Sequence, residues 1–156
     1  MKVENLSLMN LALHQYSGSA FFEGDTVMNG RAELAQGLLN MEGSFSQAMD
    51  LVQNNGDSTT ICQGDASDTM QVEVNGGLAS VGLDASEGCL LHYERSGGGL
   101  IPYFPDADAF PDLSQPAGSF SVGDEKTVIN VKITGGALAV GNRLRIKPGE
   151  AYKESN

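Results

Sequence analysis

The chain has 156 residues, of which 40% are apolar and 19% charged, and its 20 Asp and Glu against nine Lys and Arg give a formal net charge of −11. That length predicts one domain, residues 1–156, with a core large enough to be stable without a cofactor. The acidic balance argues against nucleic acids and anionic membranes as partners, because both are bound through large basic surfaces.

Nothing in the sequence predicts a membrane segment or a secretory signal. No stretch approaches ~18 consecutive apolar residues. The polar residues Glu4, Asn5, Ser7 and Asn10 interrupt the hydrophobic region that a signal peptide requires. The sequence therefore predicts a protein that stays inside the cell in which it is made.

The first third of the chain contains a helical pattern. Apolar residues recur at spacings of four and three, the period of an amphipathic helix. They are Leu34, Leu38, Met41, Phe45, Met49 and Val52. Residues 44–47 have the form of a capping box, and 54–56 (Asn-Asn-Gly) are a typical helix stop. The pattern predicts one short helix over about 45–54, whereas 31–41 suits either a helix or a strand.

The two cysteines, Cys62 and Cys89, define at most one disulfide. For a protein of a reducing compartment they favour two buried, reduced thiols, with a disulfide as the alternative. Cys89 and His92 have a spacing found in metal sites, but residues three apart on a strand point to opposite faces. The pair therefore predicts neither a zinc site nor a Cys–His nucleophile.

An eleven-residue segment occurs twice. Residues 72–82 (VEVNGGLASVG) align without gaps on 131–141 (VKITGGALAVG) at an offset of 59. Each copy leads from alternating apolar and polar residues through Gly-Gly to a second apolar run, which is typical of a β-hairpin. We expect at least one glycine of each pair to have positive φ. The turn residues are Gly76, Gly77, Gly135 and Gly136.

A third hairpin is predicted between the two copies. Its strands are Leu90–Glu94 and Leu100–Phe104, and its turn is Ser96–Gly99. Pro102 has no N–H, so its strand should lie at a sheet edge. The three hairpins predict a mainly β fold, a β-sandwich or small barrel of hairpins with one short helix in the N-terminal third, and α+β is the alternative.

Residues 102–118 contain four prolines and predict an extended arm or surface loop. Three apolar residues are expected to anchor it, at least one of them against another chain. They are Phe104, Phe110 and Leu113. Three acids of the same segment have the spacing of a calcium loop, but Phe and Pro occupy its fifth and sixth positions, which leaves a weak calcium site. These acids are Asp106, Asp108 and Asp112.

Charge is segregated along the chain. Residues 1–125 hold 18 acids against three bases, whereas 126–156 hold six bases against two acids. The second segment is predicted to form a basic C-terminal hairpin. Arg143, Arg145 and Lys147 alternate on its returning strand and so share one face. We expect this basic ladder to meet an acidic protein surface, on another copy of the chain or on a different partner.

No catalytic motif accompanies these elements. The glycines at 97–99 lack the Lys and Ser/Thr of a phosphate loop. The two histidines, His14 and His92, are predicted to be structural, and the absence of tryptophan argues against a glycosidase. The sequence therefore predicts a protein that is not an enzyme and has no catalytic residue and no cofactor.

The segment Ala117–Asp124 (AGSFSVGD), followed by the predicted hairpin Val128–Ile146, resembles the capsid decoration, or cement, proteins of tailed bacteriophages. The resemblance implies a virion protein that binds a capsid shell at symmetry points, often as a trimer, and stabilises it. Its partners would be other protein subunits, of the capsid or of its own kind. Two alternatives are a small β-sandwich module that binds carbohydrate or calcium, and an acidic inhibitor that mimics nucleic acid.

Overall fold

The computed structural model describes residues 1–62, 69–83, 89–103, 113–122 and 127–142, and every regular element within them is a β-strand. In chain order the strands are β1 (Lys2–Glu4), β2 (Ser7–Gln15), β3 (Ser19–Leu34), β4 (Leu38–Gln53), β5 (Asp57–Cys62), β6 (Thr69–Val74), β7 (Leu78–Leu83), β8 (Cys89–Arg95), β9 (Gly99–Tyr103), β10 (Ala117–Val122), β11 (Thr127–Ile133) and β12 (Ala137–Asn142). All of them belong to one sheet. The prediction of a mainly β fold is confirmed.

The sheet is curled because the long strands pair in parallel with the strands that follow them. Ser7 of β2 lies opposite Thr26 of β3, and Ser19 of β3 lies opposite Leu38 of β4. The two residues of each pair are equally far apart in the sequence, so the chain returns to an equivalent position after each such interval. Parallel strands need a crossover connection, and here the strands themselves bend round to supply it. The chain therefore winds as a solenoid, each coil displaced by one strand spacing of about 4.8 Å.

Each coil consists of a front segment, a glycine turn and a back segment. The half of the sheet before the glycine turns, called the front sheet here, contains β2, the second halves of β3 and β4, and β6, β11, β8 and β10. The back sheet contains β1, the first halves of β3 and β4, and β5, β7, β12 and β9. Residues that face into the coil from both sheets form one apolar core, in which Leu34, Met41, Leu91 and Leu138 are fully buried.

A column of six glycines joins the front and back segments. Their φ values lie between 70° and 106°. In stacking order they are Gly18, Gly37, Gly56, Gly77, Gly136 and Gly98. Each of the first five carbonyl oxygens accepts a hydrogen bond from the next coil, as from the Leu38 N–H to Gly18 and the Ala137 N–H to Gly77, both at 2.9 Å. The predicted positive φ within each Gly-Gly pair is confirmed, at the second glycine of each.

The predicted hairpins are wrong, because the strands that flank each turn do not pair with each other. β6 pairs with β4 and β11, whereas β7 pairs with β5 and β12. β8 and β9, and likewise β11 and β12, also take different partners. A hairpin turn and a solenoid corner both require glycine at positive φ, so this local signal does not distinguish them. Residues 143–156 of the predicted basic hairpin lie outside the described residues.

The eleven-residue repeat corresponds to two stacked coils. Val72 lies opposite Val131, and Gly82 lies opposite Gly141, in the register of the sequence alignment. The coil of β11 and β12 comes last in the chain among the described coils, yet it lies between the coil of β6 and β7 and the coil of β8 and β9. The order of the coils in space therefore differs from their order in the chain.

The predicted helix over 45–54 is wrong, because these residues lie in β4 and in the turn that follows it. Met41, Phe45 and Met49 are buried, and their spacing of four fits a strand as well as a helix, since four is an even number. Val52 breaks the helical pattern by pointing outward, where it is half-buried. The proposed helix stop at 54–56 is the glycine turn between β4 and β5.

The predicted Pro-rich arm is only partly described. Its first two residues belong to β9 and its last two to β10, whereas 104–112 lie outside the described residues. Pro102 lies on β9, which is an edge strand among the described strands, as predicted. Leu113 is partly buried against the core of its own chain.

Candidate functional site

The front sheet has two different faces. Its inner face is apolar and forms part of the core, and its outer face is polar. On the three strands β6, β11 and β8 the inward residues are buried; they are Val72, Val131 and Tyr93. The residue that follows each of them points outward and is exposed or half-buried; these are Glu73, Lys132 and Glu94. The alternation of a strand thus places a charged row on the surface.

These outward side chains line a shallow, open groove of about 750 Å³ that crosses the front sheet from β3 to β10. Two rows of side chains form its floor. One row is Arg31, Asp50, Gln71, Asn130 and His92, and the other is Glu33, Val52, Glu73, Lys132 and Glu94. Ala117 and Gly118 of β10 close the groove at one end.

The coil of β11 and β12 places Lys132 between two carboxylates, because this coil lies between two others in the stack. Lys132 is the register partner of Glu73 on one side and of Glu94 on the other. Opposite charges that face each other on neighbouring strands stabilise a sheet by about 0.2–1 kcal/mol per pair. Without the inserted coil, the two acids would come together at neighbouring positions, so the insertion also reduces charge repulsion across the groove.

The other end of the groove contains the exposed ion pair of Arg31 and Asp50, and His14 of β2 contacts Glu33 beside it. Arg31 Nη1 lies 3.4 Å from Asp50 Oδ2, and His14 Nδ1 lies 3.3 Å from Glu33 Oε2. Each of these side chains is at least a third exposed, so the pairs contribute little to stability. They leave the groove with charges of both signs and an excess of acids.

A ladder of polar side chains borders the groove beside the glycine column. Thr134 Oγ1 donates to Asn75 Oδ1 at 2.6 Å, and Asn75 Nδ2 donates to Asn54 Oδ1 at 2.9 Å. Asn75 Nδ2 also lies 3.1 Å from Glu73 Oε2, to which it donates. These contacts link three stacked coils and orient Glu73 at this border of the groove.

Arg95 closes the glycine column at its β8 end. Gly98 is the last glycine of the column, and no further coil among the described residues donates to its carbonyl oxygen. Arg95 Nη2 donates to that oxygen, and Arg95 Nη1 donates to the carbonyl oxygen of Leu113 at 2.6 Å. Gln15 and Gln53, which occupy the same position in earlier coils, donate to Gly18 and Gly56 in the same way.

Most site residues predicted from the sequence lie outside the described residues. These are the basic ladder (Arg143, Arg145 and Lys147), the arm anchors Phe104 and Phe110, and the calcium candidates Asp106, Asp108 and Asp112. The interface role of the ladder and of the arm therefore stays a prediction. Within the described ranges no group of three or more His, Cys, Asp and Glu side chains is placed to hold a metal ion.

Both cysteines are buried and unbonded, as expected for reduced thiols. Burial raises the pKa of the Cys62 thiol and of the Cys89 thiol to about 12. Thiols with such values remain protonated near neutral pH and are poor nucleophiles. His92 is exposed on the opposite face of β8 from the buried Cys89, as their spacing of three on a strand predicts.

The groove was not predicted from the sequence, although the repeat contains a signal for it. Aligning 72–82 with 131–141 pairs Glu73 with Lys132 at an outward position, which is a cross-strand charge pair. Interpreting both segments as hairpins hid this pairing. The contribution of Glu94 was not accessible, because nothing in the local pattern indicates that β8 stacks on β11.

No protein-family model matches the chain, and comparisons with curated proteins and with solved structures found no match. In the described part of the chain no helix is long and apolar enough to cross a membrane.

Proposed function

We propose that this chain is a non-enzymatic structural protein that docks on a larger protein assembly through the groove of its front sheet. The observation that carries this proposal is the groove itself, a wide and open polar surface on a backbone tied together coil by coil. It holds charges of both signs, which suits a protein partner of complementary charge pattern. Its open shape does not enclose a small substrate, as a typical ligand pocket does.

The specific form of the proposal is a capsid decoration protein of a tailed bacteriophage virion. The similarity of the sequence of Ala117–Asp124 to that class supports this choice. A solenoid with successive hydrogen-bonded coils suits a protein that must resist strain, because each coil is held by its neighbours. The partners in this proposal are capsid subunits, and the basic ladder at 143–147 would supply a second, cationic contact.

The test is cosedimentation with phage head shells assembled without the chain. Gln71 is exposed on the groove floor, so Gln71→Trp should block docking by its bulk while the fold is retained. The matched control is Ser19→Trp, on the exposed side of the back sheet, which should bind like the unmodified chain. Equal binding by both variants would exclude the groove as the docking surface.

A second variant separates the two proposed contacts. Reversal of Arg143, Arg145 and Lys147 to Glu should slow association and reduce its dependence on salt, because peripheral charges act mainly on the rate of encounter. If no shell binds the chain and the groove instead binds a soluble oligosaccharide, the carbohydrate-binding alternative is favoured.

A further inference from the structure

We propose that two copies of this chain associate through strand β2, paired antiparallel about a two-fold axis. β2 is the final strand of the front sheet at the N-terminal end of the solenoid, and among the described strands it pairs only with β3. Alternate N–H and C=O groups on its other side therefore face away from the sheet, and such a row is a template for another strand. β2 does not line the groove, so this association and the proposed docking use different strands.

The other described edges carry the features that prevent strand addition, whereas β2 does not. β1 has the ion pair of Lys2 Nζ and Glu4 Oε1 at 2.8 Å. β9 contains Pro102, and β10 is a six-residue strand that begins directly after Pro116. β2 is nine residues long and has no Lys, Arg, Asp, Glu or Pro. Charges, prolines and short length are the usual protection of edges, so β2 is the unprotected one.

Exposed apolar side chains are concentrated at the same end of the solenoid. Of the six large apolar side chains exposed in the described ranges, all but Ile101 lie in the first 21 residues, before β1, in β2, at the start of β3 or in the turns between these strands. They are Met1, Leu6, Met9, Tyr16 and Phe21. The inward leucines of β2 are only partly buried, although their equivalents in β4 (Phe45, Met49 and Leu51) are buried. These leucines are Leu8, Leu11 and Leu13. A further layer of strand would cover them.

A second copy fits this edge because β2 is self-complementary. In an antiparallel pair centred on Ala12, Leu11 of each copy lies opposite Leu13 of the other, and Asn10 lies opposite His14. Leucine then covers leucine on the core side, as an isologous interface requires. The net charge of −11 makes copies repel each other, and β2 brings no acid to the contact. Two copies can therefore approach at this strand without opposing carboxylates.

The experiment measures mass by light scattering for the full chain and three variants. The unmodified chain of 16.4 kDa should give twice that mass at micromolar and higher concentrations. Ala12 is exposed at the centre of the pair, so Ala12→Lys or Ala12→Glu places two like charges opposite each other and should give a monomer. Mixing the two variants should restore the dimer, because the introduced charges are then opposite. Ser119→Lys, exposed on β10, should remain dimeric.

Circular dichroism of each variant verifies that the fold is retained, because position 12 points away from the core. A monomeric unmodified chain at all concentrations overturns the proposal. It is also overturned if Ala12→Lys alone dimerises as well as the unmodified chain, or if the mixture of the two charged variants stays monomeric. None of these results depends on whether the groove binds a shell.

Discussion

The Ala137 N–H donates to the carbonyl oxygen of Gly77 at 2.9 Å and so joins two corners that are distant in the chain, with five strands, β7 to β11, between them. Equivalent bonds join Leu38 to Gly18, Asp57 to Gly37 and Leu78 to Gly56, where each corner directly follows the previous one along the chain. One local geometry thus serves both sequential and non-sequential coils. The coil of β11 and β12 fits between its neighbours in the stack because its corner has the same glycine and the same register as theirs.

The glycine column makes an ordered prediction for three alanine variants. Gly77 has a positive φ, which strains any other residue, and a Cβ added there would collide with the backbone of Gly56. At Gly18 the φ is also positive, but no atom lies within 4 Å of the added Cβ, so only backbone strain of about 1 kcal/mol is expected. Gly99 has neither feature and is the control. Urea unfolding should therefore show the greatest loss of stability for Gly77→Ala, less for Gly18→Ala and least for Gly99→Ala. An equal loss at Gly77 and Gly99 would contradict the stacked corner.

The row of Glu73, Lys132 and Glu94 predicts a charge effect that can be reversed. Lys132→Glu should lower the free energy of unfolding by about 0.5–2 kcal/mol, because three carboxylates then lie side by side. Adding Glu73→Lys should recover part of that loss. The measurement is a double-mutant cycle by urea unfolding at low salt. Additive effects of the two substitutions would show that the side chains at 73 and 132 do not interact.

Arg95 is predicted to stabilise the end of the solenoid through its two carbonyl contacts. Arg95→Met keeps the apolar stem and removes the donors to Gly98 and Leu113. Hydrogen bonds from charged donors contribute about 1.5–3 kcal/mol, so a loss of about that size is expected. Arg95→Lys should lose less, since one ammonium retains a single contact. Thermal melts of the three proteins test this, and equal stability of Arg95→Met and the unmodified chain would show that the end needs no cap.

The buried thiols predict a loss of stability in alkaline solution. The pKa of Cys62 and of Cys89 is raised from 9.0 to about 12 in the folded chain. Between pH 9 and 12 the thiols of the unfolded chain ionise while those of the folded chain remain protonated, so stability falls as pH rises. Below pH 9 the thiols contribute no pH dependence. Urea unfolding across this range should show a smaller alkaline decline for a Cys62→Ala, Cys89→Ala variant, and an unchanged decline would contradict the assigned burial.

The sequence was sufficient for the β class, the glycine turns and the edge position of Pro102, because these depend on local backbone chemistry. The alignment of 72–82 with 131–141 also predicted which residues would be equivalent. The sequence was not sufficient to predict which strands pair, since strands that bend round a solenoid and strands that fold into hairpins have the same alternation and the same turns. The helix at 45–54 failed for a related reason, because a spacing of four suits both periods.

The groove could be predicted only with knowledge of the order in which the coils stack. Glu73 and Lys132 are brought together by the repeat, but Glu94 joins them only because β8 stacks on β11 instead of on β6. No local pattern encodes that choice. The interface residues predicted from charge and from proline content lie outside the described residues, so the structure leaves those predictions to experiment.

Engineered cysteine pairs can show whether the coil of β11 and β12 lies between the coil of β6 and β7 and the coil of β8 and β9. Adjacent strands hold register partners close enough for a disulfide, whereas strands two apart are separated by about 9–10 Å and do not. The pair Glu73→Cys with Lys132→Cys, and the pair Lys132→Cys with Glu94→Cys, should each form an intramolecular disulfide under mild oxidation, as measured by mass spectrometry after digestion. The pair Glu73→Cys with Glu94→Cys should stay reduced. A disulfide between 73 and 94, with none to 132, would contradict the inserted coil and the groove that it creates.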